Sequence, residues 1–172
     1  MEQLATCEAD RCSPMAIEAM LHDGVPLAAS WGLQVLEVDS GAALLRLPAR
    51  EDFLRPGGHV TGALMMGLAD LAMWAALLRL NDGRESGFTT SLTMNFMRPP
   101  GRGALLAEAG FRKSDGMVMF GEVTIRAEED RQEVAHAIAS WARAPRGMGR
   151  RPAPPSVPDW TSRMLAARSV WD

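Results

Sequence analysis

Tyrosine is absent from this 172-residue chain, histidine occurs three times and cysteine twice. Each shortage removes a class of chemistry. Cys7 and Cys12 lie close together near the N-terminus with no further Cys or His at ligand spacing around them. A zinc site is therefore not expected, and both read as free thiols of a reducing compartment. Ser40 and Ser114 fall in turn sequences, and no nucleophile-elbow motif, Ser/His/Asp arrangement or phosphate-binding Gly loop is present. A formal net charge of -3 argues against a nucleic-acid partner, although the C-terminal region is locally basic. Glu2, Glu8, Asp10 and Arg11 interrupt the first residues before any apolar core, so a secretory leader is not expected and a cytoplasmic location is.

Twelve methionines and an apolar fraction of 47% are present instead, which suits adaptable apolar packing in one domain with a sizeable core. The apolar residues concentrate in 55–80, R-P-G-G-H-V-T-G-A-L-M-M-G-L-A-D-L-A-M-W-A-A-L-L-R-L. From Ala63 to Leu78 every residue is apolar or Gly except Asp70. A helix apolar all round belongs in a protein core or a membrane. This run is shorter than the ~20 residues a span needs and carries an acid at its centre, so a core helix is expected and no membrane partner. An isolated carboxylate in such surroundings has to be paired, protonated or used.

The remaining elements follow from turn chemistry and periodicity. Ser13-Pro14 and Gly24 bracket a short amphipathic helix, with Met15, Ala16, Ala19, Met20 and Asp23 expected along its stripe and a role in covering a sheet edge or pocket mouth. His22 sits near its C-terminus, where it suits the helix dipole. Two β-rich runs flank Asp39-Ser40-Gly41 and predict a hairpin, and residues 49–58 predict a loop. Asn81-Asp82-Gly83 ends the central helix. Residues 88–98 alternate, with Phe88, Thr90, Leu92, Met94 and Phe96 on one face and Thr89, Ser91, Thr93 and Asn95 on the other. Strands are predicted over about 104–112 and 117–127, joined by Lys113-Ser114-Asp115-Gly116, and over about 133–143, where His136 reads as a satisfied strand residue. The sum is an α+β architecture. Beyond Trp141 an Arg/Pro/Gly-rich stretch leads to Asp159, a helix cap, and to Trp160, Met164, Ala167 and Trp171 on one helical face. Such a stripe is expected to dock on its own domain or on a second subunit.

Four stretches together resemble the hot-dog fold and, more narrowly, the phenylacetate-pathway (PaaI-like) acyl-CoA thioesterases: P-G-G-H-V-T-G-A-L-M-M-G-L-A-D, T-T-S-L-T-M-N-F-M-R-P, the hairpin-linked strands after it, and E-V-A-H-A. The resemblance covers residues 25–143. It implies an antiparallel sheet wrapped around the long helix, preceded by a tail and short helix over 1–24 and followed by a linker and C-terminal helix over 144–172. It also implies homodimers with central helices side by side, dimers that pair into homotetramers, and an active site across the dimer interface. Under this resemblance Gly62 supplies the oxyanion-binding amide, Asp70 the nucleophile or general base, and Thr89 a hydroxyl that places the attacking water. Thr61, Ala63, His59, Arg55, Met66, Met73, Trp74 and Ser91 are the expected substrate contacts, with Met65 in the same apolar wall.

The physics is consistent with those roles. A helix N-terminus offers unpaired amides where a thioester oxyanion develops, and Gly62 removes the Cβ that would block approach. Met66, Gly67, Met73 and Trp74 are expected to desolvate Asp70, with Thr89 and Ser91 supplying compensating hydrogen bonds. Coenzyme A enters as part of the substrate; no other cofactor and no metal are expected. The family's His-Gly-Gly is replaced here by Thr61-Gly62-Ala63, and Arg55 stands where some members carry an amide. These departures keep a second reading open, a non-catalytic acyl-CoA-binding module. A hot-dog lyase would need an acid–base histidine beside Asp70, and only His59 is placed for it.

Overall fold

The computed structural model describes residues 12–84 and 87–143. Ser13 caps the first helix, α1 (Pro14–Gly24), by accepting a hydrogen bond from the Ala16 amide through its hydroxyl at 3.2 Å, and Pro14 occupies the first turn. A second short helix, α2 (Pro26–Trp31), follows at once and ends on Gly32 with φ 66°. It was not expected from the sequence, although a Pro at its start and a Gly at its end are the ordinary boundary signals. Strands β1 (Gln34–Asp39) and β2 (Ala42–Leu47) form the expected hairpin, with Gly41 in the left-handed region at φ 79°.

The predicted loop at 49–58 is partly ordered into a 3-10 turn (Glu51–Phe53) and a two-strand ribbon of β3 (Leu54–Arg55) and β4 (His59–Val60). Pro56-Gly57-Gly58 makes its tip. The ribbon delivers the chain into α3 (Gly62–Leu80). Strands β5 (Phe88–Phe96), β6 (Leu105–Lys113), β7 (Val118–Ala127) and β8 (Glu133–Ala142) complete one six-stranded antiparallel sheet in the order β1-β2-β6-β7-β8-β5. The sheet curls around α3, which touches all six strands and β2 and β6 most extensively. This is the α+β hot-dog architecture.

The core lies between helix and sheet. Leu68, Ala69, Ala72, Ala75, Ala76 and Leu77 have no exposed surface. Alanines at those positions let the helix axis approach the strands closely, while each fully buried leucine contributes roughly 1.5–3 kcal/mol. Met73 enters the sheet over Gly121: a Cβ there would lie 2.4 Å from the Met73 methyl carbon and 2.8 Å from the Gly110 carbonyl oxygen. By length and composition α3 is apolar enough to cross a membrane, yet more than half of it is buried against its own sheet.

Three expectations change. The buried stripe of α1 is Ile17 and Leu21, one turn apart, and Met15, on the opposite side of the helix, is 79% exposed. Alternation in β5 is broken between Thr89 and Ser91, where the register against β8 shifts. The extra residue turns Thr89 to the same side as Leu92 and Met94 and leaves Ser91 outside. Met65 and Met73 are buried, at 3% and 1% exposure, and point into the core instead of lining an accessible wall. The expected C-terminal helix, the linker before it and Cys7 lie outside the described residues.

Candidate active site

One stripe of α3 is left uncovered by the sheet. Ala63, Met66, Gly67, Asp70 and Trp74 fall on it at helical spacing, each half-buried or exposed. Asp70 is therefore not sealed in the core. Its Oδ1 accepts a 2.6 Å hydrogen bond from the Thr89 hydroxyl, across from the start of β5. The bulge is what aims Thr89 inward, so the pairing depends on β8 as much as on β5 itself. A short bond to a carboxylate is of the stronger, charge-assisted kind. Ser91, expected to share this duty, faces solvent on the other side of the sheet.

Asp70 and Thr89 line a cleft of about 560 Å³. Its apolar wall is made by Met20 from α1, Val25 between α1 and α2, Leu71 and Trp74 from α3, Phe88 from β5 and Trp141 from β8. α1 thus covers the mouth of a pocket, as expected, and does so through its last turn. Gly24 permits this: a Cβ there would meet the Trp74 ring at 2.6 Å. The Trp74 indole N–H is buried and has no hydrogen-bond partner. Met20, Val25, Phe88 and Trp141 were not foreseen. No histidine lines this cleft, so within one chain the lyase arrangement lacks its acid–base group.

Gly62 is the first residue of α3 and Thr61 its cap residue, but the Thr61 side chain makes no capping hydrogen bond. The first amides of a helix have no intrahelical acceptor, so this end is an available donor site. Phe96, 52% exposed, lies over Gly62, with ring carbons 3.2 and 3.4 Å from where a Cβ would be. His59 is half-buried on β4, opposite Arg55, which is exposed; the His59 Nδ1 is buried without a partner. Eight residues of helix separate Gly62 from Asp70, which is about 12 Å at 1.5 Å per residue. The structure therefore gathers the expected residues into two groups: Asp70, Thr89 and Trp74 at the cleft, and Arg55, His59, Thr61, Gly62 and Ala63 around the helix start.

Elsewhere the ionisable groups serve structure. The His22 ring nitrogen Nε2 lies 2.8 Å from the Leu33 carbonyl. His136 faces Glu122 at 3.7 Å on the outer side of the sheet, and the Arg112 guanidinium bonded to Glu122 holds that carboxyl below its ordinary range. A larger concavity of about 1010 Å³, lined by Glu37, Glu108, Arg112, Glu122, Arg126 and Arg131 among others, sits on that outer side. Its Glu122 is bonded to Arg112, and its lining contains no nucleophile next to a base. Among the described residues no three His, Cys, Asp or Glu side chains converge as metal ligands.

Residues 57–134 match the family model of the thioesterase superfamily. A candidate esterase of Saccharolobus solfataricus is 27% identical over 126 residues, covering 73% of this chain and 89% of that protein. Among solved structures, a candidate thioesterase from a Silicibacter species superposes with a TM-score of 0.70 at 29% identity, over 77% of this chain and 92% of the other. A mutant of the phenylacetic acid degradation protein PaaI from Thermus thermophilus does so with a TM-score of 0.61 at 26% identity, over 69% and 98%. The matched segment contains β4, the whole of α3 and both halves of the candidate site, Gly62 and Asp70 with Thr89. The segment that carries the candidate site is thus similar to the thioesterase superfamily, and the architecture is the hot-dog fold.

Proposed function

We propose that this protein hydrolyses acyl-CoA thioesters, with Asp70 as nucleophile or general base. Similarity of residues 57–134 to the thioesterase superfamily supports thioester hydrolysis in general; the acyl-CoA substrate and the role of Asp70 are our reading. The observation that carries it is the Asp70–Thr89 pair at the mouth of an apolar cleft, on the one stripe of α3 that the sheet leaves open. A carboxylate there is reachable by substrate and is held in one orientation. A hydroxyl has one donor and two acceptor sites, so Thr89, donating to Asp70, still accepts from a water. In the general-base route that water loses its proton to Asp70 as its oxygen adds to the thioester carbonyl. The tetrahedral oxyanion then collapses, the C–S bond breaks, and the thiolate takes up a proton. A fixed amide at the oxyanion is the largest single aid to such a step, and Gly62 is the candidate donor.

The ~12 Å between Gly62 and Asp70 within one chain is too far for both to act on one carbonyl. A homodimer in which the acid of one protomer meets the helix start of the other removes that obstacle, and pairing of dimers is compatible with it. Arg55, His59, Thr61 and Ala63 would then lie where the substrate enters, with Met66 and Trp74 along the acyl side. We place the protein in the cytoplasm, where acyl-CoA is found.

The second reading, a non-catalytic acyl-CoA-binding module, is favoured by Thr61-Gly62-Ala63 standing in place of His-Gly-Gly. Purified protein and Asp70→Asn, assayed against a panel of acyl-CoAs with thiol detection, separate the two. Turnover by wild type alone supports the enzyme. Equal release by both removes Asp70 from the mechanism, and no release with retained acyl-CoA binding favours the binding module.

A further inference from the structure

The cleft beside Asp70 carries charge of one sign. Asp23 and Asp70 are the ionisable members of its lining, and among the described residues that form it there is no Lys, Arg or His. The other members are apolar side chains, three glycines and Thr89. Such a lining repels the phosphates of coenzyme A, and it repels an acyl group that ends in a carboxylate. What it suits is an uncharged apolar chain.

Size and direction narrow the class. Asp70, Leu71, Trp74 and Leu78 follow one another at helical spacing along one stripe of α3. Leu78 lies about 12 Å beyond Asp70 at 1.5 Å per residue, on the side away from Gly62. A chain that starts at Asp70 therefore runs toward the C-terminal half of α3, past Met20 and Val25 and past Phe88 and Trp141. The volume of about 560 Å³ is several times the ~150 Å³ that holds a single benzene ring. A short or single-ring acyl group thus leaves most of the cleft unfilled and forgoes the burial it offers.

Width depends on Trp74, and the position of its ring depends on Gly24. Gly24 is the last residue of α1 and has helical backbone, so its missing Cβ serves space and not conformation. A Cβ there would lie 2.6 Å from Cη2 of the indole, and 3.5 and 3.6 Å from Cζ3 and Cζ2. The outer edge of the ring is seated directly on the glycine, and a methyl at 24 has to displace it.

We propose, on the reading that the protein hydrolyses acyl-CoA, that its preferred substrates carry an uncharged medium-chain acyl group and that Trp74, seated on Gly24, sets this selectivity. The thioester carbonyl lies at Asp70, the chain extends past Trp74 to Leu78, and coenzyme A stays outside the cleft.

Calorimetric titration of Asp70→Asn with acetyl-, hexanoyl-, decanoyl- and tetradecanoyl-CoA, below their micelle concentrations, tests this without turnover. Affinity is expected to rise at least ~10-fold from acetyl to decanoyl and to change less than ~3-fold from decanoyl to tetradecanoyl, whose further carbons lie beyond Leu78. Sebacoyl-CoA, decanoyl with a terminal carboxylate, should bind at least ~10-fold more weakly than decanoyl-CoA. Width is read with phenylhexanoyl-CoA, a chain of similar length and greater girth. Placed in the Asp70→Asn background, Gly24→Ala should lower its affinity relative to decanoyl-CoA at least ~3-fold, and Trp74→Leu should raise it by as much. Trp74→Leu carries this arm alone should Gly24→Ala fail to fold. A flat series, one that goes on climbing to tetradecanoyl, or equal binding of sebacoyl-CoA overturns the substrate class. Shifts of the same sign in the two variants, or none, overturn the role of Trp74. Thiol release by the wild type on the same series keeps the two readings apart. Release beside a flat series leaves thioester hydrolysis standing and removes the acyl assignment of the cleft. The expected series without release removes the hydrolase and leaves that assignment standing.

Discussion

One side of α3 meets the sheet and the other does not, and the two are built from different residues. The buried side is Met65, Leu68, Ala69, Ala72, Met73 and Ala76, none above 3% exposure. Size is what matters there: Ala where strands come close, Leu or Met where space has to be filled. The open side is Ala63, Met66, Gly67, Asp70 and Trp74. Glycine is a poor helix residue, costing roughly 1 kcal/mol against alanine, and at Gly67 it leaves room for the Trp31 ring, which would lie 2.6 Å from a Cβ. A lone acid contributes nothing to packing. On the proposed function the open side trades some stability for access to Asp70, so substitutions on the two sides should fail in different assays.

The largest effect expected is on the open side. Asp70→Asn keeps the shape and loses the base, so acyl-CoA turnover should fall ~10²–10⁴-fold, about 3–5.5 kcal/mol of barrier, while the thermal midpoint stays level or rises. Thiol release and a melting curve on the same preparation check both halves. The buried side should behave in reverse. Leu68→Ala, at a position with no exposure, should cost about 2–5 kcal/mol of stability through lost burial and a cavity. Turnover per folded molecule should stay near wild type, as measured by denaturant unfolding beside an activity assay at low denaturant. A variant that moved both readouts together would break the distinction between the sides.

The sequence made these two sides only partly legible. The ends of α3, the β1–β2 and β6–β7 turns and the long strands were readable because Gly, Pro, Asn and Asp act locally on the backbone. Asp70 stood out for the same reason, as one charge in an apolar run. The direction of Met73 was not readable, since it depends on Gly121 leaving a hollow in β7, a strand far from α3 in sequence. The inward turn of Thr89 and outward turn of Ser91 come from a register shift against β8, so strict alternation within β5 misplaces one of them. Trp141 and Val25 reach the cleft by tertiary packing from opposite ends of the domain, and no local pattern announces that. The face of α1 was misread because a short helix has few apolar residues, and Ile17 with Leu21 competes with a longer but weaker series through Met15 and Met20.

The contact between the open side and the sheet can be sharpened at Thr89. Thr89→Val keeps the shape and removes the donor to Asp70, leaving one hydrogen bond to a charged group unmade. That is worth about 1.5–3 kcal/mol, so turnover should fall roughly 10–100-fold. Thr89→Ser retains a hydroxyl and should recover most of it. If Val and Ser variants are equally slow, packing of the Thr89 methyl, and not its hydrogen bond, is what the site uses.

The smallest effect belongs away from both sides, on the outer face of β2. Arg46 grips Glu128 through two nitrogens, at 2.6 and 2.8 Å, and reaches Gln34 at 3.1 Å. The side-chain hydrogen bond from Arg46 lowers the Glu128 carboxyl below its ordinary range, and the same bond raises Arg46. Both side chains are about a third exposed, at 28% and 36%, so solvent screens most of the attraction. Arg46→Gln should therefore cost no more than about 1 kcal/mol. Because the carboxyl is depressed in the folded state, the pair's contribution is complete above the ordinary glutamate value of about 4.3. It is lost as pH falls through the lowered folded value. Urea midpoints of wild type and Arg46→Gln should differ at pH 7 and converge at more acid pH. A gap that persists unchanged once Glu128 is protonated would mean that the Arg46 stem, lying on the outer face of the sheet, carries the stability in place of its charge.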